Sequence, residues 1–132
     1  PDDLTPAEID PAMIELCRTI NEFPGIETRE SCQGFVDGHR PGEPWAVYFG
    51  MAGDVTAAGY ASIEFLTWVA RAAGSCGITM GVGAFPPHVN EVCHSMYFAL
   101  TGEPGATDPN EFAAQLRNLR AKHFALPDSA RG

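Results

Sequence analysis

Proline and glycine divide this chain into short segments, and no other feature of the sequence restricts the possible folds as strongly. These residues cluster at Pro24-Gly25, at Pro41-Gly42, across residues 74–77 and at Pro86-Pro87. Proline lacks a backbone N–H and glycine favours turns, so each cluster is expected to end a helix or a strand. No apolar run approaches the roughly 20 residues that are needed to cross a bilayer.

Apolar residues with helical spacing predict three amphipathic helices, over residues 10–23, 60–73 and 108–126. Met13, Leu16, Cys17 and Ile20 share one face of the first helix, which places Cys17 in the core. The first and third helices each begin with aspartate followed by proline, the arrangement of an N-cap and a first helical residue. Residues 53–59 are expected to form a linker before the second helix.

Four further segments predict β-strands, at residues 26–32, 45–51, 78–85 and 93–101. The segment at 45–51 is apolar on both faces, which is typical of a central strand in a covered sheet. Regular alternation in the first strand would place Ile26, Thr28, Glu30 and Cys32 on one face and Glu27, Arg29 and Ser31 on the other.

The third strand carries two glycines, Gly81 and Gly83, on the face opposite Ile78, Met80 and Val82. Glycines that alternate on one face leave room for another group to approach the strand. We expect a packed helix on that face in preference to a ligand.

The predicted elements follow the order α-β-β-α-β-β-α. Strands do not alternate one by one with helices, so a doubly wound parallel sheet is not expected. The sequence therefore predicts a single α+β domain over residues 1–132, with a largely antiparallel four-stranded sheet and about three helices on one face.

Charge and cysteine usage narrow the classes of partner. Eight basic and seventeen acidic residues give a formal net charge of −9, which disfavours binding to nucleic acid and to anionic membranes. The cysteines, Cys17, Cys32, Cys76 and Cys93, form no C-x-x-C pair, and the chain has no stretch resembling a signal peptide. We therefore expect a cytoplasmic protein with reduced thiols.

The stretch from Thr28 to Gly34 is the best candidate for a functional site, because it combines a charge pair, hydroxyls, a thiol and a turn glycine. We expect Thr28, Ser31, Gln33 and Gly34 to contact a ligand, together with Trp45 from the next strand. Aromatic residues such as Trp45, Tyr48 and Trp68 are suited to stacking on a flat ligand, although at this spacing they are also typical of a core.

Cys32, Glu30 and His39 are the candidate catalytic residues of this stretch. Cys32 would be a nucleophile if a group such as His39 lowered its thiol pKa, a metal ligand if it met other soft donors, or otherwise a buried strand-end residue. Glu30 would be a general base if its strand face were buried, and an ordinary surface charge if not.

A helix ending at residues 20–26, followed by Ser31-Cys32-x-Gly34 and a strand that begins with Trp45, resembles the tRNA methyltransferase family of wybutosine synthesis. That family carries a Ser-Ser-Cys-Ser-Gly-Arg motif between such a helix and such a strand, and its members bind tRNA and S-adenosylmethionine. Glu30, Gln33 and Phe35 stand here where the motif has serine, serine and arginine. The resemblance implies a fold and the position of a site. It does not by itself imply the family's transferase activity.

Three functional hypotheses follow, and none specifies a cofactor. In the first, the chain binds or modifies a small-molecule or nucleotide-type substrate at the Thr28 to Gly34 stretch. In the second, it is a non-catalytic homodimer that uses an exposed sheet face with Trp45, Tyr48 and Tyr97. In the third, it is a metal-dependent hydrolase or lyase that uses Cys32, His39, His88 and His94, although scattered ligands at irregular spacing are a weak metal signal.

Overall fold

The computed structural model of the chain describes residues 10–72, 77–84 and 96–125. A short 3-10 turn, Pro11–Met13, leads into α1, and the remaining elements follow in order. They are α1 (Ile14–Asn21), β1 (Ile26–Cys32), β2 (Trp45–Met51), α2 (Ala57–Ala72), β3 (Ile78–Ala84), β4 (Met96–Gly102) and α3 (Pro109–His123). The predicted α+β class and the predicted element order are both confirmed.

The four described strands form one antiparallel sheet in the order β1-β2-β4-β3. The most apolar strand, β2, pairs with β1 on one side and with β4 on the other, as its two apolar faces predict. The two sequence-adjacent strand pairs therefore lie side by side, with β2 and β4 in the centre.

All three described helices lie on one face of the sheet, and the core fills the space between the two layers. Every second side chain of β2 points toward the helices and is fully buried, namely Trp45, Val47 and Phe49. The ring centroids of Trp45 and of Phe112 on α3 lie 6.0 Å apart. Those of Phe23, just after α1, and of Phe65 on α2 lie 5.7 Å apart. The face that carries these residues is called the helix face below, and the opposite one the open face.

The start of α1 differs from the prediction. Residues 11–13 adopt a 3-10 turn before the α-helix begins, a common arrangement at helix N-termini. The Asp10 side chain makes no cap hydrogen bond; it accepts a 2.8 Å hydrogen bond from the backbone N–H of Gln33 instead. Asp10 thereby ties the beginning of α1 to the end of β1.

The start of α2 lies three residues earlier than predicted, within the expected linker. The Thr56 side-chain oxygen accepts a 3.0 Å hydrogen bond from the Gly59 N–H, which provides an N-cap for the first turn. Gly59 is buried, and a Cβ atom there would lie 2.6 Å from the sulfur of Met51. This glycine allows α2 to approach the sheet and does not form a linker.

The start of α3 is confirmed as predicted. The Asp108 carboxylate accepts a 2.9 Å hydrogen bond from the Asn110 N–H, and Pro109 occupies the first turn. Toward its C-terminus, α3 is joined to α1 by ion pairs of Arg117 and Arg120 with Glu22. Within the described ranges, no helix is both long enough and apolar enough to traverse a bilayer.

Candidate functional site

A β-bulge in β1 divides the Thr28 to Gly34 stretch between the two faces of the sheet. Thr28 lies opposite Phe49 and Glu30 lies opposite Tyr48, so Arg29 is an extra residue in the strand. Beyond the bulge, Ser31 lies opposite the fully buried Val47. The prediction that Thr28, Glu30 and Cys32 share one face is therefore wrong, because a bulge shifts the alternation by one residue.

Thr28 lies on the helix face and is held by the end of α1. Its N–H donates a 2.7 Å hydrogen bond to Asn21 Oδ1, and Asn21 Nδ2 donates a 2.9 Å hydrogen bond to Thr28 Oγ1. Both the oxygen and the nitrogen of the Asn21 side-chain amide therefore form hydrogen bonds with Thr28. The arrangement satisfies partly buried polar groups at the junction of helix and strand.

Ser31 lies on the same face and meets the thiol of Cys17. Burial raises the pKa of that thiol, and the hydrogen bond with Ser31 partly opposes the increase. Cys17 is almost completely buried, as the helical pattern predicted. The Ser31 hydroxyl is thus directed toward the core and not toward solvent.

Gln33 and Gly34 shape the turn that follows β1. Gln33 is buried, and its side-chain amide donates a 2.8 Å hydrogen bond to the carbonyl of Val36. Gly34 has φ +56°, and a Cβ atom there would collide with the carbonyl of Pro44. Glycine is required here because two backbone segments touch.

His39 and Trp45 are the two predicted site residues outside the stretch, and they lie in different environments. His39 is exposed in the loop after Val36–Gly38, and it makes no hydrogen bond to Cys32. Trp45 is fully buried on the helix face, and its Nε1–H donates a 3.1 Å hydrogen bond to the carbonyl of Thr107. The expectation of an exposed Trp45 beside Tyr48 and Tyr97 is wrong, since Trp45 and Tyr48 are three residues apart in β2 and therefore point to opposite faces of the sheet.

The open face carries the remaining predicted residues, arranged in cross-strand rows. One row runs Cys32, Ala46, Thr101, Thr79, and the next runs Glu30, Tyr48, Ala99, Gly81. Glu30 is exposed, whereas Cys32 and Tyr48 are half-buried. None of the described helices lies on this face, so the side chains of Glu30 and Cys32 are brought together with Tyr48 on an accessible surface.

Two glycines on the open face make room for neighbouring side chains. The Arg29 guanidinium lies over Gly50, where a Cβ atom would be 2.6 Å from Nη2, and Arg29 donates a 3.2 Å hydrogen bond to the carbonyl of Met51. The Tyr97 ring lies over Gly83, where a Cβ atom would be 2.5 Å from the hydroxyl oxygen. Contrary to expectation, none of the described helices packs on the glycine face of β3, because they all lie on the opposite face of the sheet.

Tyr97 reaches across the sheet to Tyr48, and their rings meet edge to face with centroids 5.5 Å apart. The Thr79 and Thr101 hydroxyls lie 2.7 Å apart in a hydrogen bond on the same face. The predicted site residues did not include Thr79 or Thr101, and Arg29 was counted only as half of the charge pair in the candidate stretch. The glycine alternation in β3 was the signal for Thr79 and Thr101, because it marked a face that accommodates other groups.

The metal hypothesis has limited support from these residues. Within the described ranges, no group of three or more His, Cys, Asp or Glu side chains is close enough to hold an ion. His88 and His94, which the metal hypothesis invoked, lie outside the described residues.

Comparisons with known proteins leave the chain without an assigned relative. No protein-family model matches the sequence, and neither the curated proteins nor the solved structures include a significant match.

Proposed function

We propose that this protein binds a small molecule with a flat, polar ring, of the nucleoside type, on the open face beside Glu30, Cys32 and Tyr48. The observation that supports this proposal is the placement of Glu30, Tyr48 and Cys32 on one accessible face, in adjacent cross-strand rows. The rest of the candidate stretch, including Thr28, Ser31 and Gln33, holds the strand in place by bonds to the core and to neighbouring turns.

The side chains of the face match the groups of such a ligand. Tyr48 offers a ring for stacking, and its edge-to-face contact with Tyr97 holds that ring in position. The Glu30 carboxylate accepts hydrogen bonds from an exocyclic amine or a ribose hydroxyl. Ala99 and Gly81 continue the row beyond Tyr48, so little side-chain bulk obstructs a flat ring there.

The charges of the face favour a ligand with little negative charge. Glu27 and Glu30 contribute two carboxylates and Arg29 one guanidinium, and the whole chain has a net charge of −9. A triphosphate would meet net repulsion, whereas a neutral nucleoside would not. The resemblance to the wybutosine family supports the same position, because Cys32 is its motif cysteine.

A nucleoside titration tests this proposal. Adenosine, its monophosphate and its triphosphate would each be added to ¹⁵N-labelled protein, and backbone amide shifts would be followed by NMR. We expect adenosine to shift signals of β1, β2 and β4 in a saturable way, with the triphosphate binding more weakly. Tyr48→Leu should weaken adenosine binding about tenfold, through the loss of stacking.

Asp54→Asn is the matched control, since Asp54 is exposed in the loop after β2 and is not on the open face. Glu30→Gln should weaken adenosine binding, and Asp54→Asn should leave it unchanged. The proposal fails if no nucleoside shifts the open-face signals, or if both carboxylate variants have the same effect.

A second function is favoured by one specific observation, the small residues at the centre of the open face. Ala46 and Ala99 are only 4% and 9% exposed, and Gly81 lies beside Ala99. Two sheets pack about 10 Å apart when small and aromatic residues interdigitate. We infer that a second copy of this chain is an alternative occupant of this face, in a homodimer.

Sedimentation equilibrium over a range of protein concentrations separates the two functions. A homodimer should give twice the chain mass. Gly81→Glu should convert it to a monomer, because Gly81 is exposed on the open face with no atom within 4 Å of an added Cβ, and a carboxylate there would be buried only in the interface. A monomer at every concentration would eliminate the homodimer and leave the face open to a ligand.

A further inference from the structure

A groove on the helix side of the molecule lies between α2 and the end of α3, away from the open face. Its volume is about 800 Å³, and its principal side chains are Tyr60, Glu64, Phe65, Trp68, His123 and Phe124. Aromatic rings form most of this set. The proposed function on the open face uses none of these residues.

Three of the lining residues form a stripe along α2. Tyr60, Glu64 and Trp68 are spaced four residues apart, so they follow one another on successive turns of the helix. Tyr60 is 61% exposed and Trp68 is 49% exposed, which is high for residues of this size. A carboxylate therefore lies between two accessible aromatic rings.

Glu64 is exposed, and in the part of the chain that the structure describes it forms no ion pair. Two glutamates at α1 behave differently: Glu15 and Glu22 both pair with Arg117. Glu64 thus contributes an uncompensated negative charge to the groove.

The aromatic floor beneath the stripe is held in place by its own packing. The Phe65 ring lies 5.6 Å from Trp68, 5.2 Å from Phe124 and 5.7 Å from Phe23, measured between centroids. The Trp68 ring also meets His123 edge to face at 5.8 Å. Such contacts restrict the rings to one arrangement before any ligand binds, which lowers the entropic cost of binding.

We propose that this groove binds a small organic cation with a quaternary ammonium group. The methyl groups of such a cation are weakly hydrated, and aromatic faces attract them through the ring quadrupole, with tryptophan the most effective. The Glu64 carboxylate supplies the opposite charge, and the phenylalanine floor accommodates the apolar part of the ligand. Anions are repelled by Glu64, and strongly hydrated metal ions gain little from the rings.

The surroundings favour a free small molecule over a basic protein segment. Arg71 and Trp68 line a second hollow next to the groove, also bordered by Glu64. Lys122 and His123 lie at the end of α3. The positive charge of Arg71 beside the Trp68 end of the groove disfavours a polybasic chain, whereas a single small cation can bind beside Glu64.

The two tryptophans provide a direct test by NMR of the indole N–H signals. Trp45 is buried and its indole N–H is hydrogen-bonded, whereas Trp68 lies in the groove. Choline is the probe, and 3,3-dimethylbutan-1-ol is its uncharged carbon isostere. We expect choline to shift the Trp68 signal and to leave Trp45 unchanged, with the isostere binding about tenfold more weakly.

Matched charge variants complete the test. Glu64→Gln should weaken choline binding about tenfold, because it removes the charge and keeps the shape. Glu103→Gln, an exposed site in the loop after β4, should have no effect. Arg71→Gln should leave binding unchanged or tighten it.

Four results would overturn the proposal. They are the absence of a Trp68 shift, equal affinity for choline and its isostere, equal affinity of Glu64→Gln and the parent chain, and reproduction of the shift by sodium chloride at the same concentration. A trimethyllysine peptide that binds more than about tenfold tighter than choline would overturn the assignment to a free small molecule.

Discussion

Gly34 has a left-handed backbone conformation, and its Cα faces the carbonyl of Pro44, where a Cβ atom would collide. Gly34→Ala should destabilise the protein by about 2–4 kcal/mol, from backbone strain together with displacement of the second segment. Gly38 is the matched control, because it also has positive φ but no atom within 4 Å of the added Cβ. Gly38→Ala should cost only about 1 kcal/mol, and urea unfolding of both variants measures the difference. Equal losses would show that the close approach to Pro44 is unimportant.

Cys17 gives the stability of the protein a dependence on pH that can be isolated by mutation. Burial raises the pKa of its thiol above the ordinary value of 9.0, so the folded state retains the proton where the unfolded state releases it. The unfolded state binds fewer protons above that value, so the Cys17 contribution to stability is present below pH 9.0 and is lost as pH rises.

The free energy of unfolding should therefore fall more steeply between neutral and alkaline pH for the parent chain than for Cys17→Ala. Urea unfolding of both proteins at several pH values measures this difference. The other titrating groups are the same in both proteins, so their contribution cancels in the comparison. Parallel profiles for the two proteins would contradict the role assigned to burial.

At the scale of the element, helix starts depend on side chains that satisfy the first N–H groups. The Thr56 side-chain oxygen accepts a hydrogen bond from the Gly59 N–H at the start of α2, so Thr56→Ala should cost about 1 kcal/mol in urea unfolding. Thr67 has the same side chain inside α2, where its hydroxyl donates to the carbonyl of Ile63. Thr67→Ala should change stability little or increase it slightly, since alanine is the better interior helix residue. A larger loss at Thr67 than at Thr56 would refute the capping role.

For the molecule as a whole, the division of the sheet into a helix face and an open face predicts where stability resides. Phe49 is fully buried on the helix face and stacks with Phe98 at 5.8 Å, so Phe49→Ala should cost about 3–5 kcal/mol. Thr101 lies on the open face, and its hydroxyl forms an exposed hydrogen bond with the Thr79 hydroxyl. Thr101→Ala should cost less than about 1 kcal/mol. Thermal or urea unfolding compares the two variants, and similar losses would mean that the open face is covered in solution, as in the homodimer.

The sequence was sufficient for the class and the order of elements, because those depend on local signals. The apolar run at residues 45–51 predicted β2 with its observed bounds, Trp45–Met51. Asp108 and Pro109 predicted the start of α3, where the cap hydrogen bond is formed. Each signal is contained in a few neighbouring residues, so no long-range information is needed to interpret it.

Only the tertiary structure decided which side chains of the candidate stretch reach the surface. The bulge at Arg29 depends on how β1 pairs with β2, a contact between residues about 20 positions apart that no local pattern encodes. Packing likewise decided which face of the sheet the described helices cover, and it left Gly81 and Gly83 on the open face. A one-residue shift of alternation exchanges the faces of all following residues, so Ser31 meets the core while Glu30 and Cys32 lie beside Tyr48.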